Sequence, residues 1–78
     1  MSLRLLFLGR LRDIAGADER VVGWAPRLAQ VIAALEPELA QALETPMVRI
    51  AINGTLGDRL TPLADGDEIA FLPPVSGG

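Results

Sequence analysis

Few residues in this chain could do chemistry. His, Cys, Lys and Tyr are all absent from its 78 residues. Acid–base work would fall to carboxylates, and nucleophilic work to Ser2, Ser76 and three threonines that have no base partner. "GADE" (Gly16 to Glu19) and "DGDE" (Asp65 to Glu68) cluster carboxylates, but each reads better as a solvated turn. Neither has calcium-loop spacing, and without Cys or His a zinc site is excluded, so no metal is expected. The remaining reactive group is the carboxylate of the final residue, in "FLPPVSGG".

Each part of that ending has a physical use. Seven residues follow Phe71, and fully extended they reach at most about 25 Å. Pro73 and Pro74 restrict the backbone to extended forms and aim the segment away from the strand before it. Gly77 and Gly78 carry no Cβ, so they could thread a narrow channel, and Gly78 would present an unshielded carboxylate. Without lysine, the N-terminus is the only primary amine, so copies of the chain cannot be linked to one another through internal isopeptide bonds.

The elements that must hold this ending are legible from pattern. "LRLLFL" (Leu3 to Leu8) is short and apolar, a strand closed by Gly9. One helical turn is expected over Leu11 to Ala15, closed by Gly16. "RVVGW" (Arg20 to Trp24) reads as a second strand, antiparallel to the first, with Trp24 packing at its end. Pro26 suits a first helical position, and Leu28, Val31, Ile32 and Leu35 form one apolar stripe. Pro37 should end that helix at Glu36, and "PELAQAL" adds a second short helix. "VRIAI" (Val48 to Ile52) alternates as a strand, Asn53-Gly54 signals a two-residue hairpin, and Thr55-Leu56 starts the return. Asn53 to Thr55 formally matches a glycosylation sequon, discounted in a tight turn without a secretory signal. "EIAFL" (Glu68 to Leu72) is the last strand. The order predicts an α+β fold with helices on one face of a mixed sheet, a domain over residues 1–72 and an extended tail over 73–78.

Strand alternation divides the sheet into two faces. Arg4, Arg49 and Glu68 mark the outward phase. Leu3, Leu5, Phe7, Val48, Ile50, Ile52, Ile69 and Phe71 are then core, while Leu6, Leu8, Ala51, Ala70 and Leu72 face outward. If the first and last strands are neighbours, the outward set forms an apolar patch. It is either a docking surface or a face covered by loops or the second helix. Half the residues are apolar, enough for one small core. The net charge of −3 argues against nucleic acid, no run is long enough to span a membrane, and a reducing cytoplasm is the expected compartment.

The whole chain resembles the ubiquitin-like sulfur carriers, and within them the small subunits of molybdopterin synthase (MoaD). "LLFLGRLRDIAG" is similar to that family's opening strand and Arg-acidic turn. "INGTL" followed by "PLADGDEIAFLPPVSGG" is similar to its closing half, with Pro73-Pro74 before Gly-Gly pointing to the molybdopterin branch rather than the thiamine one. The resemblance implies a β-grasp fold and a sulfur-carrier role in molybdenum-cofactor synthesis. A partner enzyme would use ATP to adenylate Gly78 and convert it to a thiocarboxylate, and the tail would then donate sulfur to precursor Z within the large synthase subunit. No cofactor would be bound stably, and the catalytic groups would belong to the partners of a hetero-oligomer. The interface implied is Leu6, Leu8, Arg12, Leu56, Leu72, Pro73, Pro74, Val75 and Ser76, with Gly77 and Gly78 threaded. Two alternatives stay open: a protein modifier conjugated through Gly78, and a sulfur carrier for another pathway such as thiamine.

Overall fold

A computed structural model of the chain describes residues 1–74. In chain order the elements are β1 (Ser2–Phe7), α1 (Leu11–Ala15), β2 (Glu19–Gly23), α2 (Leu28–Ala33), α3 (Pro37–Leu43), β3 (Arg49–Ile52), β4 (Thr55–Gly57) and β5 (Glu68–Leu72). The strands form one sheet in the order β2-β1-β5-β3-β4. β1 and β5 are parallel and all other pairs antiparallel, so the sheet is mixed, as expected.

One face of this sheet carries the core. Leu3, Leu5, Phe7, Ile50, Ile69 and Phe71 are buried together with Leu11, Leu28, Val31, Ile32, Leu39 and Leu43 from the three helices. All the helices therefore lie on that face. Phe7 and Phe71 stand in register on β1 and β5, and their rings stack with centroids 5.7 Å apart. Two expectations about the core need adjusting. Ile52 has the core phase but is only half-buried, because it sits beside the hairpin at the end of the sheet. Leu63 is a core residue that the pattern did not reveal. It comes from a loop, and its N–H donates to the Pro26 carbonyl at 3.0 Å.

Tertiary bonds move the boundaries of α2. Pro26 does not open the helix. Arg27 is its N-cap, with extended backbone (φ −134°), and it forms an isolated bridge to Pro62. The bridge holds Arg27 extended and the Leu63 N–H ties down the Pro26 carbonyl, so helical geometry starts at Leu28. The Arg27 N–H donates to the Gln30 side chain at 3.2 Å. At the other end α2 stops at Ala33, short of the expected Glu36. Ala34 and Leu35 donate to carbonyls three residues back, at 3.2 and 3.0 Å. Glu36 is already extended (ψ 141°), as the following Pro37 requires. Pro37 itself opens α3, where its missing N–H costs nothing.

Strand ends shift by a residue: β2 begins at Glu19 and ends at Gly23, and β3 begins at Arg49. Trp24 lies just past β2, its indole N–H donating to the Leu63 carbonyl at 3.0 Å. Asn53 (φ 50°) and Gly54 (φ 83°) give the left-handed pair that a tight hairpin demands. Asn53 also reaches β5: its amide donates to Asp67 at 2.9 Å and accepts from the Glu68 N–H at 3.0 Å. The "DGDE" residues are a turn and strand start, with Asp65 accepting from the Ser2 N–H at 2.7 Å. Among the described residues no helix is long and apolar enough to cross a membrane.

Gly9 has a structural reason to be glycine. Its φ is +57°, and a Cβ there would come within 2.8 Å of the Pro73 ring. Gly9→Ala should therefore lower stability by about 1–2 kcal/mol from backbone geometry alone, with the Pro73 clash added. A urea melt checks this; a loss no larger than the backbone share would remove Pro73 from contact with this turn, and an unchanged midpoint would contradict the left-handed geometry of Gly9 too.

Three carboxylates are held below their usual range. The Arg4 guanidinium does this for Glu19, first by its hydrogen bond and then by its charge, while also pairing with Glu68 at 3.2 Å. Arg20 does it for Glu36 through a 2.8 Å hydrogen bond. Asp67 is held low by the Ala64 N–H and the Asn53 amide. Each folded value lies below the unfolded one, so the unfolded chain takes up protons first as the pH falls. The stabilisation is complete above the unfolded carboxylate values, about pH 4–4.5, and is lost on acidification through the folded ones. Urea midpoints should fall between about pH 5 and pH 3, and less steeply in Asp67→Asn. Equal slopes in the two chains would contradict the role given to Asp67.

Candidate functional site

Among the described residues no helix covers the face opposite the core, and the middle of that face is apolar. Strand register sets Leu6 beside Ala70, Ala70 beside Ala51, and Ala51 beside Leu56. These four residues make one row across β1, β5, β3 and β4. Leu56 is 67 % exposed, while Leu6, Ala70 and Ala51 are half-buried by neighbours within the sheet. Next to this row lie Leu8, 44 % exposed, and Leu72, half-buried. Because every helix packs on the core face, the second helix does not cover this one. On its other side, the row is bounded by Arg4 paired with Glu19 and Glu68.

Leu72 ends β5, so the apolar face leads directly into the two prolines. Ladder pairing continues one residue past β1, with the Leu8 N–H donating to the Phe71 carbonyl at 3.3 Å. The chain then turns at Gly9, against which Pro73 rests. Arg12, on α1, steadies that turn: its Nε donates to the Gly9 carbonyl at 3.2 Å, and Asp18 lies 3.7 Å from its Nη1. Leu6, Leu8, Leu56 and Leu72 thus share one face, with Arg12 and Pro73 at its margin and Pro74 following. Val75, Ser76, Gly77 and Gly78 lie outside the described residues.

Sequence reasoning missed two residues at this margin. Gly9 was legible as the end of a strand, but its contact with Pro73, more than sixty positions away, leaves no local signal. Met47, 63 % exposed beside Pro73 and Pro74, comes from the loop before β3, where no periodicity assigns a face.

Comparison with known proteins identifies the family and the fold. The ThiS family matches residues 5–78. The molybdopterin synthase sulfur carrier subunit of Escherichia coli is 39 % identical, covering 97 % of this chain and 99 % of that protein. One chain in a complex of subunits 1 and 2 of the molybdopterin-converting factor from Helicobacter pylori superposes with a TM-score of 0.72, at 33 % identity over all of both chains. SAMP1 from Haloferax volcanii superposes with a TM-score of 0.84, at 25 % identity, also over all of both chains. The mixed sheet with its helices on one face is a ubiquitin-like β-grasp, and the chain belongs to the ThiS family, similar along its whole length to the molybdopterin synthase sulfur carrier subunits.

Proposed function

We propose that this protein carries sulfur for molybdenum-cofactor synthesis, as a thiocarboxylate on Gly78. The observation that carries the reading is the uncovered apolar row from Leu6 to Leu56, continuous through Leu72 with the strand that enters the tail. Such a face gives a partner something to hold while the tail enters its active site. The similarity to a chain solved in complex with a second subunit supports a large synthase subunit as that partner.

The chemistry follows from the weakness of a carboxylate as an electrophile. A partner enzyme joins the Gly78 carboxylate to AMP, using ATP and releasing pyrophosphate. The acyl adenylate then has a good leaving group: sulfide released from a donor attacks the acyl carbon, the carbon–oxygen bond to AMP breaks, and the thiocarboxylate remains. Its sulfur is soft and anionic, a better nucleophile than the oxygen it replaced. In the large subunit the tail delivers that sulfur to precursor Z. The small chain supplies the face, the tail and the terminal carbonyl; the partners supply the acid–base groups.

Likeness to SAMP1, described as a small archaeal modifier protein, favours a second reading, conjugation of Gly78 to a target amine. One experiment separates the two. Incubated with its activating enzyme, ATP and a sulfur donor, the intact chain should gain the mass difference between sulfur and oxygen. A chain lacking Gly78 should show no gain and support no cofactor synthesis, yet keep its fold. A branched product on a target lysine with no thiocarboxylate would replace this reading with the second. Leu56→Glu, at an exposed position, should leave the fold intact and weaken binding to the large subunit about tenfold, as loss of an apolar contact near 1.4 kcal/mol does. Unchanged affinity by calorimetry would move the interface off this face.

A further inference from the structure

The arginines are not evenly used. Arg4, Arg12 and Arg20 pair with carboxylates. Among the described residues Arg10, Arg27, Arg49 and Arg59 form no ion pair. Three of these four stand around the root of the tail. Arg49 and Arg59 line a cleft of about 560 Å³ that Pro74 also borders. Arg10 lines a smaller groove, about 260 Å³, on which Pro73 and Pro74 both abut. Among the described residues one carboxylate, Asp58, lines the larger cleft; it accepts from the Leu60 N–H at 2.8 Å and the Thr61 hydroxyl at 3.3 Å, and two guanidinium groups outweigh its single charge. An acidic chain, with net charge −3, therefore presents a local positive edge beside its tail.

The two cleft arginines are placed differently. Arg59 is fixed, with Nη2 donating to the Leu43 carbonyl at the end of α3, while its Nε is buried with no acceptor among the described residues. Arg49 is exposed and stands in register with Leu72 on the outer face. Any protein lying on both Leu72 and Leu56 must also come over Arg49. Removing a guanidinium from water without an acceptor is unfavourable, so such a surface needs negative charge at that point.

We infer that the Arg49–Arg59 cleft receives a carboxylate-bearing segment of the protein that takes up the tail, so that this charged edge sets the register of docking while the apolar row supplies area. The inference rests on the reading that the apolar face docks a partner, and charge complementarity selects an acidic segment as the occupant. Paired charges at the margin of an interface act chiefly on association rate and salt dependence.

The test uses the full chain and the large subunit, with binding kinetics at low and high salt. Arg49→Glu should slow association and weaken affinity about 5- to 10-fold at low salt, with a smaller effect at high salt. Arg49→Lys should retain most of the binding. Leu56→Glu is the control that separates the two readings. If Leu56→Glu weakens binding and Arg49→Glu does not, the apolar face docks a partner but the acidic segment is overturned. If neither variant changes affinity, docking on this face fails first. If Arg49→Glu leaves partner binding unchanged while inorganic phosphate shifts the Arg49 and Arg59 side-chain NMR signals of the free chain, the cleft is a small-anion site and the inference is wrong. Shifts of those signals on removing residues 75–78, again with unchanged partner binding, would assign the cleft to the chain's own terminus and also overturn it.

Discussion

The structure depends on the parallel pairing of the first strand with the last. Parallel neighbours cannot be joined by a tight turn, so the chain between them must cross over the sheet. Here the crossing includes three helices and three other strands. Register then decides everything on both faces. Leu5 stands beside Ile69 and Phe7 beside Phe71 on the core side, while Leu6 stands beside Ala70 on the other. A slip of β5 by one residue would exchange its faces, burying Ala70 and exposing the Phe71 ring. The stacked Phe7–Phe71 pair makes such a slip unfavourable, and the same pair therefore fixes which residues a partner can meet.

The site was legible where it rests on alternation and opaque where it rests on distance. Arg4, Arg49 and Glu68 were enough to sort three strands into faces, because charged side chains mark the solvated phase. Asn53-Gly54 was enough to locate the hairpin, because few residue pairs accept two positive φ values. By contrast, Pro26 looked like a helix start and is not one, since the Arg27–Pro62 bridge keeps Arg27 extended and a bond from Leu63 ties the Pro26 carbonyl. Glu36 looked like a helix end, but the chain leaves helical geometry three residues sooner to meet Pro37. The approach of Pro73 to Gly9 belongs to the same class. No composition or period encodes a contact between residues so far apart.

Polar contacts in this fold gather where strands and loops end. Ser2 is tied to the Asp65 turn, Asn53 to Asp67 and Glu68, and Trp24 to Leu63. None of the described polar or charged residues is buried. Hydrophobic contact thus supplies the interior, and directional bonds fix how loops meet the sheet. This division leaves the row from Leu6 to Leu56 free of polar anchors, with Arg4 and Arg49 only at its margins.

The placement of β5 has a mechanical consequence. The strand that leads to the tail is the central one, flanked by β1 on one side and β3 on the other. A pull on the chain end runs along β5 and loads both ladders in shear. Hydrogen bonds to two neighbours then resist together, where an edge strand could peel away bond by bond. The proposed function, in which the chain end enters another protein, is served by that geometry: the handle is attached to the part of the sheet hardest to extract.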